Sequence, residues 1–418
     1  SDVCSSDLIN DSWLFSSTAN AIPNALPADW EKLDLPHTWN GKDGQDGGGD
    51  YMRKACYYAK EILKSELAGE ENYLEFDAVN SSAEIFWNGK SLAVHHGGYS
   101  RFRVLIPSTD IKETNLLVVC ADNSPNEEIY PQVADFTFYG GIYRSVKIVS
   151  VPATHFDLEY FGAPGLQITP VVKGNDAEVT VKTFIKKPAG TKVEYKIYEG
   201  EEVIKSATVE GESTEAVLTI ENVHLWNGVK DPYLYCMEAT LIKDGEEIDE
   251  VCNRFGCRYF SVDPEKGFIL NGKEYPLRGV SRHQDYPEKG NALTLEDHKR
   301  DIELICEVGA NTIRLAHYQH DQYFYDLCDE KGLVIWAEIP YISKHMPTGR
   351  ENTISQMKEL VTQNYNHPSI VVWGLSNEIT MHGAADPDRN ENHKILNDLC
   401  HKMDKTRLTT IACLTMCD

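Results

Sequence analysis

The residue best suited to chemistry in this sequence is a glutamate at the end of an apolar run. Glu378 closes the segment HPSIVVWGLSNE, where a predicted strand delivers its carboxyl into a pocket that Trp373 and Trp336 are expected to wall. Burial of this kind raises a carboxyl pKa toward the range that suits a general acid. Asn377 beside it carries an amide that can donate to a sugar hydroxyl. A structural ion pair between Glu378 and Arg314 explains the same residues, and spacing alone favours neither interpretation.

Further polar side chains stand where other predicted strands run into their loops. They are Arg282, His283 and Gln284 after one strand, Arg314, His317 and Tyr318 after the next, and Glu338 after a third. In βα barrels this carboxyl end of the strands holds the active residues. A solvated barrel rim would also be polar. Because the strands are otherwise apolar, however, burying Arg and Glu there needs paired charges.

The strands and helices that would position these residues form a repeating pattern that begins after Pro264. Strands are predicted over 276–280, 311–316, 333–339, 370–375 and 408–412. Between them lie amphipathic helices, the first capped by Thr294 and the second running from Asp321 to Gly332. Four units and the start of a fifth amount to the first half of a (β/α)₈ TIM barrel. Since a half barrel would expose both sheet edges, we expect the remaining strands to lie beyond Asp418.

Two all-β units are predicted upstream of the barrel. In residues 1–151, short alternating runs separated by turns such as Asn88-Gly89 indicate an antiparallel β-sandwich. Residues 152–262 carry a second set of short strands, and their total length suits an immunoglobulin-like β-sandwich. Residues 263–418 form the third predicted domain, so the fold class is multidomain.

The composition narrows the class of protein. Among 418 residues, Lys plus Arg number 40 and Asp plus Glu 65, a net charge of −25. Such a chain repels nucleic acid and anionic membranes, so neither is an expected partner. No window approaches the ~18 apolar residues of a membrane span and no secretory signal opens the chain, which predicts a cytoplasmic protein.

The 11 cysteines are odd in number and scattered, so reduced thiols are expected rather than disulfides.

Several of these segments together resemble one enzyme family. They are LRGVSRHQ at 277–284, NTIRLAHY at 311–318, YDLCDEKGLVIWAEIP at 325–340 and NHPSIVVWGLSNE at 366–378, with LPHTWN at 35–40 and FYGGIYRSV at 138–146 upstream. In sequence and in order they are similar to glycoside hydrolase family 2. The resemblance implies a sugar-binding jelly roll at 1–151, an immunoglobulin-like domain at 152–262 and the N-terminal part of a catalytic barrel at 263–418.

The resemblance also implies retaining hydrolysis of a β-glycoside by two carboxylates. Glu378 matches the family's acid/base, and Asn377 matches the residue that holds the sugar 2-hydroxyl. Arg314 matches the arginine that orients the nucleophile, and His317 a histidine that lines the sugar subsite. The nucleophile is a second glutamate on the seventh strand, which we expect beyond residue 418, so the chain by itself is expected to be inactive.

Among the family's activities the sequence looks most like a bacterial β-galactosidase. Asp135 stands nine residues before Arg144 and matches an aspartate that binds the sugar 4- and 6-hydroxyls in galactosidases. A carboxylate there would repel a uronic acid, which disfavours the alternative of a β-glucuronidase. A non-catalytic carbohydrate-binding protein with a degenerate barrel is a further alternative. The intact set of candidate active-site residues speaks against it.

The resemblance requires no cofactor for the chemistry. Ser281 and Gln284 replace the usual Asn and Glu of the first barrel motif. Binding of Mg²⁺ or Na⁺ is therefore suggested by the family resemblance alone. The acidic loop DGQDGGGD at 43–50 lacks the ligand order of a calcium loop, and no metal site is predicted. The expected partners are β-galactoside sugars, and a homo-oligomer is compatible with the sequence.

Overall fold

The structure is a computed structural model and describes residues 5–45, 49–213, 215–379 and 386–413. Its first unit is a β-sandwich with the strands β1 Ser5–Leu8, β2 Trp13–Ser16, β3 Glu31–Leu33, β4 Ala55–Leu63, β5 Glu71–Phe76, β6 Ser82–Trp87, β7 Lys90–His96, β8 Phe102–Ile106, β9 Thr114–Asp122 and β10 Val146–Val151. They form two antiparallel sheets, ordered β1-β10-β5-β8 and β3-β2-β4-β9-β6-β7. The core between the sheets includes Trp13, Tyr58, Phe76 and Trp87, all fully buried.

Local turn chemistry explains the pairing of β6 with β7. Asn88 and Gly89 connect these strands with φ of 51° and 85°, the left-handed conformation that a two-residue hairpin turn requires. His95 and His96 lie at the end of β7. Nε2 of His95 lies 2.6 Å from the carboxylate of Glu359 in the third unit.

The second unit is an immunoglobulin-like sandwich with the strands β11 His155–Phe156, β12 Leu166–Lys173, β13 Asp176–Thr183, β14 Ile185–Lys186, β15 Thr191–Glu199, β16 Glu202–Glu210, β17 Glu215–Ile220, β18 Tyr235–Lys243 and β19 Glu246–Phe255. Its three- and four-stranded sheets are ordered β12-β13-β17 and β16-β15-β18-β19. β11 and β14 pair with each other outside the two sheets. Val179, Tyr195 and Met237 are fully buried in the core.

A disulfide in this unit corrects the expectation of reduced thiols. Cys236 on β18 and Cys252 on β19 are bonded, with their Cα atoms 6.7 Å apart. Cys236 pairs in register with Arg254, two residues beyond Cys252. The two cysteines are therefore diagonal neighbours on one face of an antiparallel pair. They are 16 residues apart in the chain, and only the register of the sheet brings them together.

The third unit begins with a small antiparallel sheet and continues as five parallel strands in chain order, with α-helices between them. Its elements are β20 Phe260–Asp263, β21 Gly267–Leu270, β22 Lys273–Glu274, β23 Gly279–Arg282, α1 Leu295–Glu307, β24 Thr312–Leu315, α2 Gln322–Lys331, β25 Val334–Glu338, α3 Arg350–Asn364, β26 Ile370–Asn377, α4 Pro387–Met403 and β27 Leu408–Ala412. None of the four α-helices in the described ranges is long and apolar enough to cross a membrane.

The helix ends follow the predicted local signals. The Thr294 hydroxyl accepts from the backbone of Asp297, whose side chain accepts from the Thr294 backbone, completing a capping box on α1. Asp321 caps α2, and Gly332 ends it with φ of 73°. The first parallel strand differs from its prediction, because it begins at Gly279. An ideal Cβ there would lie 1.8 Å from the Thr312 carbonyl oxygen, so only glycine permits this close approach.

The second unit docks on the base of the parallel sheet through buried polar contacts. Trp226 Nε1 donates to the carbonyl of Asp329 at 3.0 Å. Arg258 donates to the carbonyls of Pro368 and Ile370, both at 2.9 Å. The backbone of Gly228 lies against Gly332, where an ideal Cβ would be 2.2 Å from the Gly228 carbonyl oxygen. These contacts fix the orientation of the strands that carry the candidate active-site residues.

We predict that Gly332→Ala destabilises the protein more than Gly309→Ala. Both glycines follow a helix with positive φ, but nothing lies within 4 Å of a Cβ at Gly309. The left-handed conformation alone costs about 1–2 kcal/mol for alanine, and overpacking against Gly228 adds about 1–3 kcal/mol. Thermal unfolding of the two variants measures the difference. Equal midpoints would show that the contact between Gly332 and Gly228 does not constrain the docking.

Candidate active site

The parallel sheet separates apolar from polar side chains by strand alternation. Ile313 and Leu315 on β24, with Ile335 and Ala337 on β25, are buried in the core against the helices. Arg314, Trp336 and Glu338 alternate with them and therefore lie on the opposite face. This face of the sheet carries the candidate active-site residues.

Arg314 and Glu338 form a bidentate ion pair across these neighbouring strands. Arg314 Nε donates to Glu338 Oε2 at 3.1 Å, and Nη2 donates to Oε1 at 3.0 Å. The guanidinium also lies 4.8 Å above the ring of Trp336. Glu338 is fully buried, so its charge needs this partner. The alternative of an ion pair between Arg314 and Glu378 is therefore wrong.

A glycine on the adjacent strand makes room for this pair. An ideal Cβ at Gly374 of β26 would lie 2.5 Å from Glu338 Cβ and 2.5 Å from Trp336 Nε1. Any larger residue would displace both side chains. Gly374 is thus a residue of the site that sequence reasoning missed, and its position inside an otherwise apolar strand was the available signal.

His317 and Asn377 meet the same ion pair. Nδ1 of His317 lies 2.7 Å from Glu338 Oε1. Asn377 Oδ1 accepts from Arg314 Nη2 at 2.6 Å. Because its oxygen is engaged by a cation, the amide nitrogen of Asn377 is the group left to donate to a ligand. The structure therefore brings Arg314, His317 and Asn377 together, as the sequence predicted.

Glu378 follows directly at the end of β26. Its backbone N–H donates to the carbonyl of Ala412 at 2.8 Å, and its φ is 47°. The residue is half-buried. None of the side-chain hydrogen bonds among the described residues uses its carboxylate. Within the described part of the chain, the carboxyl next to Asn377 thus has no side-chain hydrogen bond, which suits a group that exchanges a proton with a substrate.

Of the two tryptophans predicted to line the site, one does so and the other does not. Trp336 lies on the polar face beside Arg314. Trp373 pairs in register with Ala337, which faces the helices, and is fully buried with its Nε1 donating to Asp404 at 3.0 Å. Trp373 is therefore part of the core and does not line the site.

The loop that connects β9 and β10 of the first unit reaches the site. Phe136 packs on His317 and His283, with ring centroids 6.0 and 5.1 Å apart. Asp135, next to Phe136, is exposed, and its charge acts on His283. The structure thus places Asp135 near His283, at the edge of the site.

Tyr318 contacts both His283 and the residue after it. The Tyr318 hydroxyl accepts from the backbone N–H of Gln284 at 3.2 Å and shares a hydrogen bond with Nδ1 of His283 at 3.1 Å. Burial, and then the neighbouring His317, lower the pKa of His283. The neutral form of the His283 ring is therefore favoured.

Arg282 and Gln284 do not enter the site, although their positions at a strand end predicted it. Arg282 is buried and donates to Asp301 at 2.7 Å and to Nδ1 of His320 at 3.0 Å. Burial, and then the charge of Arg282, hold the pKa of His320 well below its usual range. Neutral His320 donates through Nε2 to the carbonyl of Ala316, which precedes His317. This network supports the loop that carries His317.

Contacts between the first and third units close the rim of the site. Gln284 Oε1 and the carbonyl of Gln319 both accept from Arg144 Nη2 at 3.0 Å. Gln45 donates to the carbonyl of Tyr286 at 2.8 Å. Asp43 of the acidic loop accepts from the backbone of Met52 at 2.9 Å. The centre of that loop, residues 46–48, lies outside the described residues.

Three side chains in the described ranges are close enough to share a cation, namely Asp326, Asp329 and His367 within 4.8 Å. His367 Nδ1 already pairs with Asp329 at 2.6 Å, and Arg254 lies 3.7 Å from Asp326. Internal ion pairs account for these carboxylates.

Three family models match successive parts of the chain. They are the sugar-binding domain of glycosyl hydrolases family 2 at residues 5–152, the family 2 domain at 164–258 and the family 2 TIM barrel domain at 263–416. The expected family is confirmed. The five parallel strands lie within the TIM barrel match.

Curated and solved relatives agree with this assignment. The chain is 39% identical to a β-glucuronidase of Bacteroides fragilis over 97% of its own length and 60% of that protein. It is 29% identical to a β-galactosidase of Thermoanaerobacterium thermosulfurigenes over 96% of its length and 57% of that protein. A crystal structure of an FMN-binding β-glucuronidase from Faecalibacterium prausnitzii L2-6 superposes with a TM-score of 0.93 at 41% identity, covering 99% of this chain and 64% of that one. The chain thus spans less than two thirds of these relatives, and it belongs to glycoside hydrolase family 2.

Proposed function

We propose that this protein is a retaining glycosidase that hydrolyses β-glucuronides. The observation that carries the proposal is the assembly of Arg314, His317 and Asn377 around Glu338, with Glu378 next to Asn377 in the chain. In the proposal, Glu378 protonates the leaving oxygen and later activates water. The FMN of one relative is not part of it, because hydrolysis by two carboxylates needs no redox cofactor.

The neighbouring residues bind and orient the sugar. Asn377 donates its amide N–H to the sugar 2-hydroxyl, since its oxygen is held by Arg314. His317 lines the subsite of the cleaved sugar. Asp135, which belongs to the first unit, binds a hydroxyl of that sugar. Arg314 orients the nucleophile. These roles match the family pattern residue by residue.

The nucleophile is proposed to lie beyond residue 418, on the seventh strand of a complete barrel. A retaining enzyme needs two carboxyls about 5–5.5 Å apart. Glu338 is unsuited to the second role, because it is fully buried and both its oxygens already accept hydrogen bonds. Residues 263–418 are accordingly the N-terminal part of the barrel, following the jelly roll at 1–151 and the immunoglobulin-like domain at 152–262.

Glucuronides replace galactosides as the first choice of substrate. Relatives named β-glucuronidase are 39% and 41% identical to the chain, whereas the β-galactosidase is 29% identical. The argument that Asp135 would repel a uronic acid is weak, since this carboxylate is exposed and water screens its charge. A non-catalytic carbohydrate-binding role is disfavoured by the retained set of site residues.

The proposed function first predicts the choice of substrate. The full-length protein should hydrolyse p-nitrophenyl β-glucuronide with a higher kcat/KM than p-nitrophenyl β-galactoside. Steady-state kinetics on both substrates measure this directly. A preference for the galactoside would return the assignment to β-galactosidase, and failure to cleave either would favour the non-catalytic alternative.

A second prediction concerns the general acid. Glu378→Gln in the full-length protein should lower kcat on alkyl glycosides by about 10²- to 10⁴-fold, the usual contribution of general acid catalysis. Activated aryl glycosides should lose less, because their leaving groups need little protonation. Glu351→Gln, on the exposed surface of α3, is the matched control and should leave kcat unchanged. An equal loss on both kinds of substrate would contradict the role of Glu378.

A third prediction concerns Asp135. Asp135→Ala should lower kcat/KM about 10- to 150-fold, because a hydrogen bond to a charged acceptor is worth about 1.5–3 kcal/mol. Asp29→Ala, an exposed aspartate of the same unit, serves as the control. If Asp135→Ala instead improved glucuronide hydrolysis, the carboxylate would act by repelling the substrate and its binding role would be wrong.

A further inference from the structure

The carboxylate of Glu338 is the point at which the side chains of the site converge. It is fully buried and accepts from Arg314 Nε at 3.1 Å, from Arg314 Nη2 at 3.0 Å and from His317 Nδ1 at 2.7 Å. Through Arg314 it also reaches Asn377, whose Oδ1 lies 2.6 Å from the same Nη2. One carboxylate thus contacts two of the proposed sugar-site residues directly and a third through one intermediate.

The geometry defines the proton position on His317. An ionised carboxylate only accepts hydrogen bonds, so the contact to Glu338 Oε1 requires a proton on Nδ1. Arg314 Nη2 lies 3.3 Å from that same Nδ1, but its two hydrogens already point to Glu338 and Asn377. Nδ1 is therefore a donor to Glu338, and in the tautomer with its proton on Nδ1 the other ring nitrogen, Nε2, is an acceptor.

We propose that Glu338 is a positioning residue of the glycosidase site. Its carboxylate holds the Arg314 guanidinium in place and keeps the His317 proton on Nδ1, so that Nε2 accepts a hydrogen bond from a sugar hydroxyl. The proposal rests on the proposed function. It goes beyond that function by naming a buried residue that touches neither the reacting atoms nor the sugar.

Replacement of the carboxylate by an amide separates this role from support of the fold. Glutamine has the shape of glutamate but offers one acceptor oxygen, and its NH₂ group only donates. In either orientation of a Glu338→Gln side chain, the NH₂ group faces Arg314 or His317, which are both donors at this point. The apolar face of the same strand, with Ile335 and Ala337, stays buried against the helices.

Glu359 provides a matched control, because it is also a buried glutamate bound to a histidine. Its carboxylate lies 2.6 Å from His95 Nε2 and also accepts from Ser100. It joins α3 to the first unit and contacts none of the proposed site residues. Glu359→Gln therefore reproduces the chemical change of Glu338→Gln at a position outside the site.

The kinetic arm uses the full-length protein and p-nitrophenyl β-glucuronide. Glu338→Gln should lower kcat about 10- to 100-fold with a smaller change in KM, as expected when hydrogen bonds to charged groups in the site are lost. Glu359→Gln should leave kcat within about twofold, as for substitutions outside a site. If both variants lost kcat equally, the effect would be structural and the proposal would be overturned.

The spectroscopic arm needs no activity, so it distinguishes failure of this proposal from failure of the proposed function. Nitrogen-15 NMR of labelled histidines at about pH 8, above the ordinary histidine pKa of about 6.5, reports which ring nitrogen carries the proton. The His317 signals are identified by their loss in His317→Gln. Wild-type His317 should carry its proton on Nδ1 and should lose that preference in Glu338→Gln. A proton on Nε2 in the wild type would overturn the proposal even if the variants failed to fold.

Discussion

The ion pair between Arg314 and Glu338 is the interaction on which the rest of the site depends. A carboxylate with no exposed surface is costly unless its charge is matched and its oxygens are satisfied. Here the guanidinium meets it with two hydrogen bonds, and His317 supplies a third. The absence of a side chain at Gly374 is a consequence, because any Cβ there would collide with Glu338. A buried charge pair at this position thus dictates the small residue opposite it and the orientation of the histidine beside it.

The site is assembled from more than one unit of the chain. The parallel sheet supplies Arg314, Glu338 and Asn377, and Phe136 of the N-terminal sandwich packs its ring on His317. Arg144 of the same sandwich donates into the third unit at Gln319, close to the loop that carries His317. The two β-units therefore do more than flank the barrel strands. The first completes the wall of the site, and the second holds the base of the sheet through Arg258.

The features predictable from sequence were those determined by neighbours in the chain. Thr294, Asp321 and Gly332 act at helix ends through contacts within a few residues, and their roles were predicted correctly. The range of β27 was also correct, since a short run of β-branched residues is a local signal. The features that failed depend on residues far apart in the chain. The partner of Arg314 and the face of the sheet on which Trp373 lies both follow from strand register. The alternation of residues does not determine this register, and a shift of one residue would move every side chain to the other face. The bond between Cys236 and Cys252 likewise needs the pairing of two long strands.

The account is tested most directly by a crystal structure of the full-length protein carrying Glu338→Gln, compared with the wild type. With only one acceptor oxygen at residue 338, the guanidinium of Arg314 should move from its bidentate position and release Asn377 Oδ1, and the His317 ring should reorient. The apolar face of the sheet should be unchanged. If Arg314, His317 and Asn377 kept their wild-type positions around the glutamine, the carboxylate would not be what organises the site.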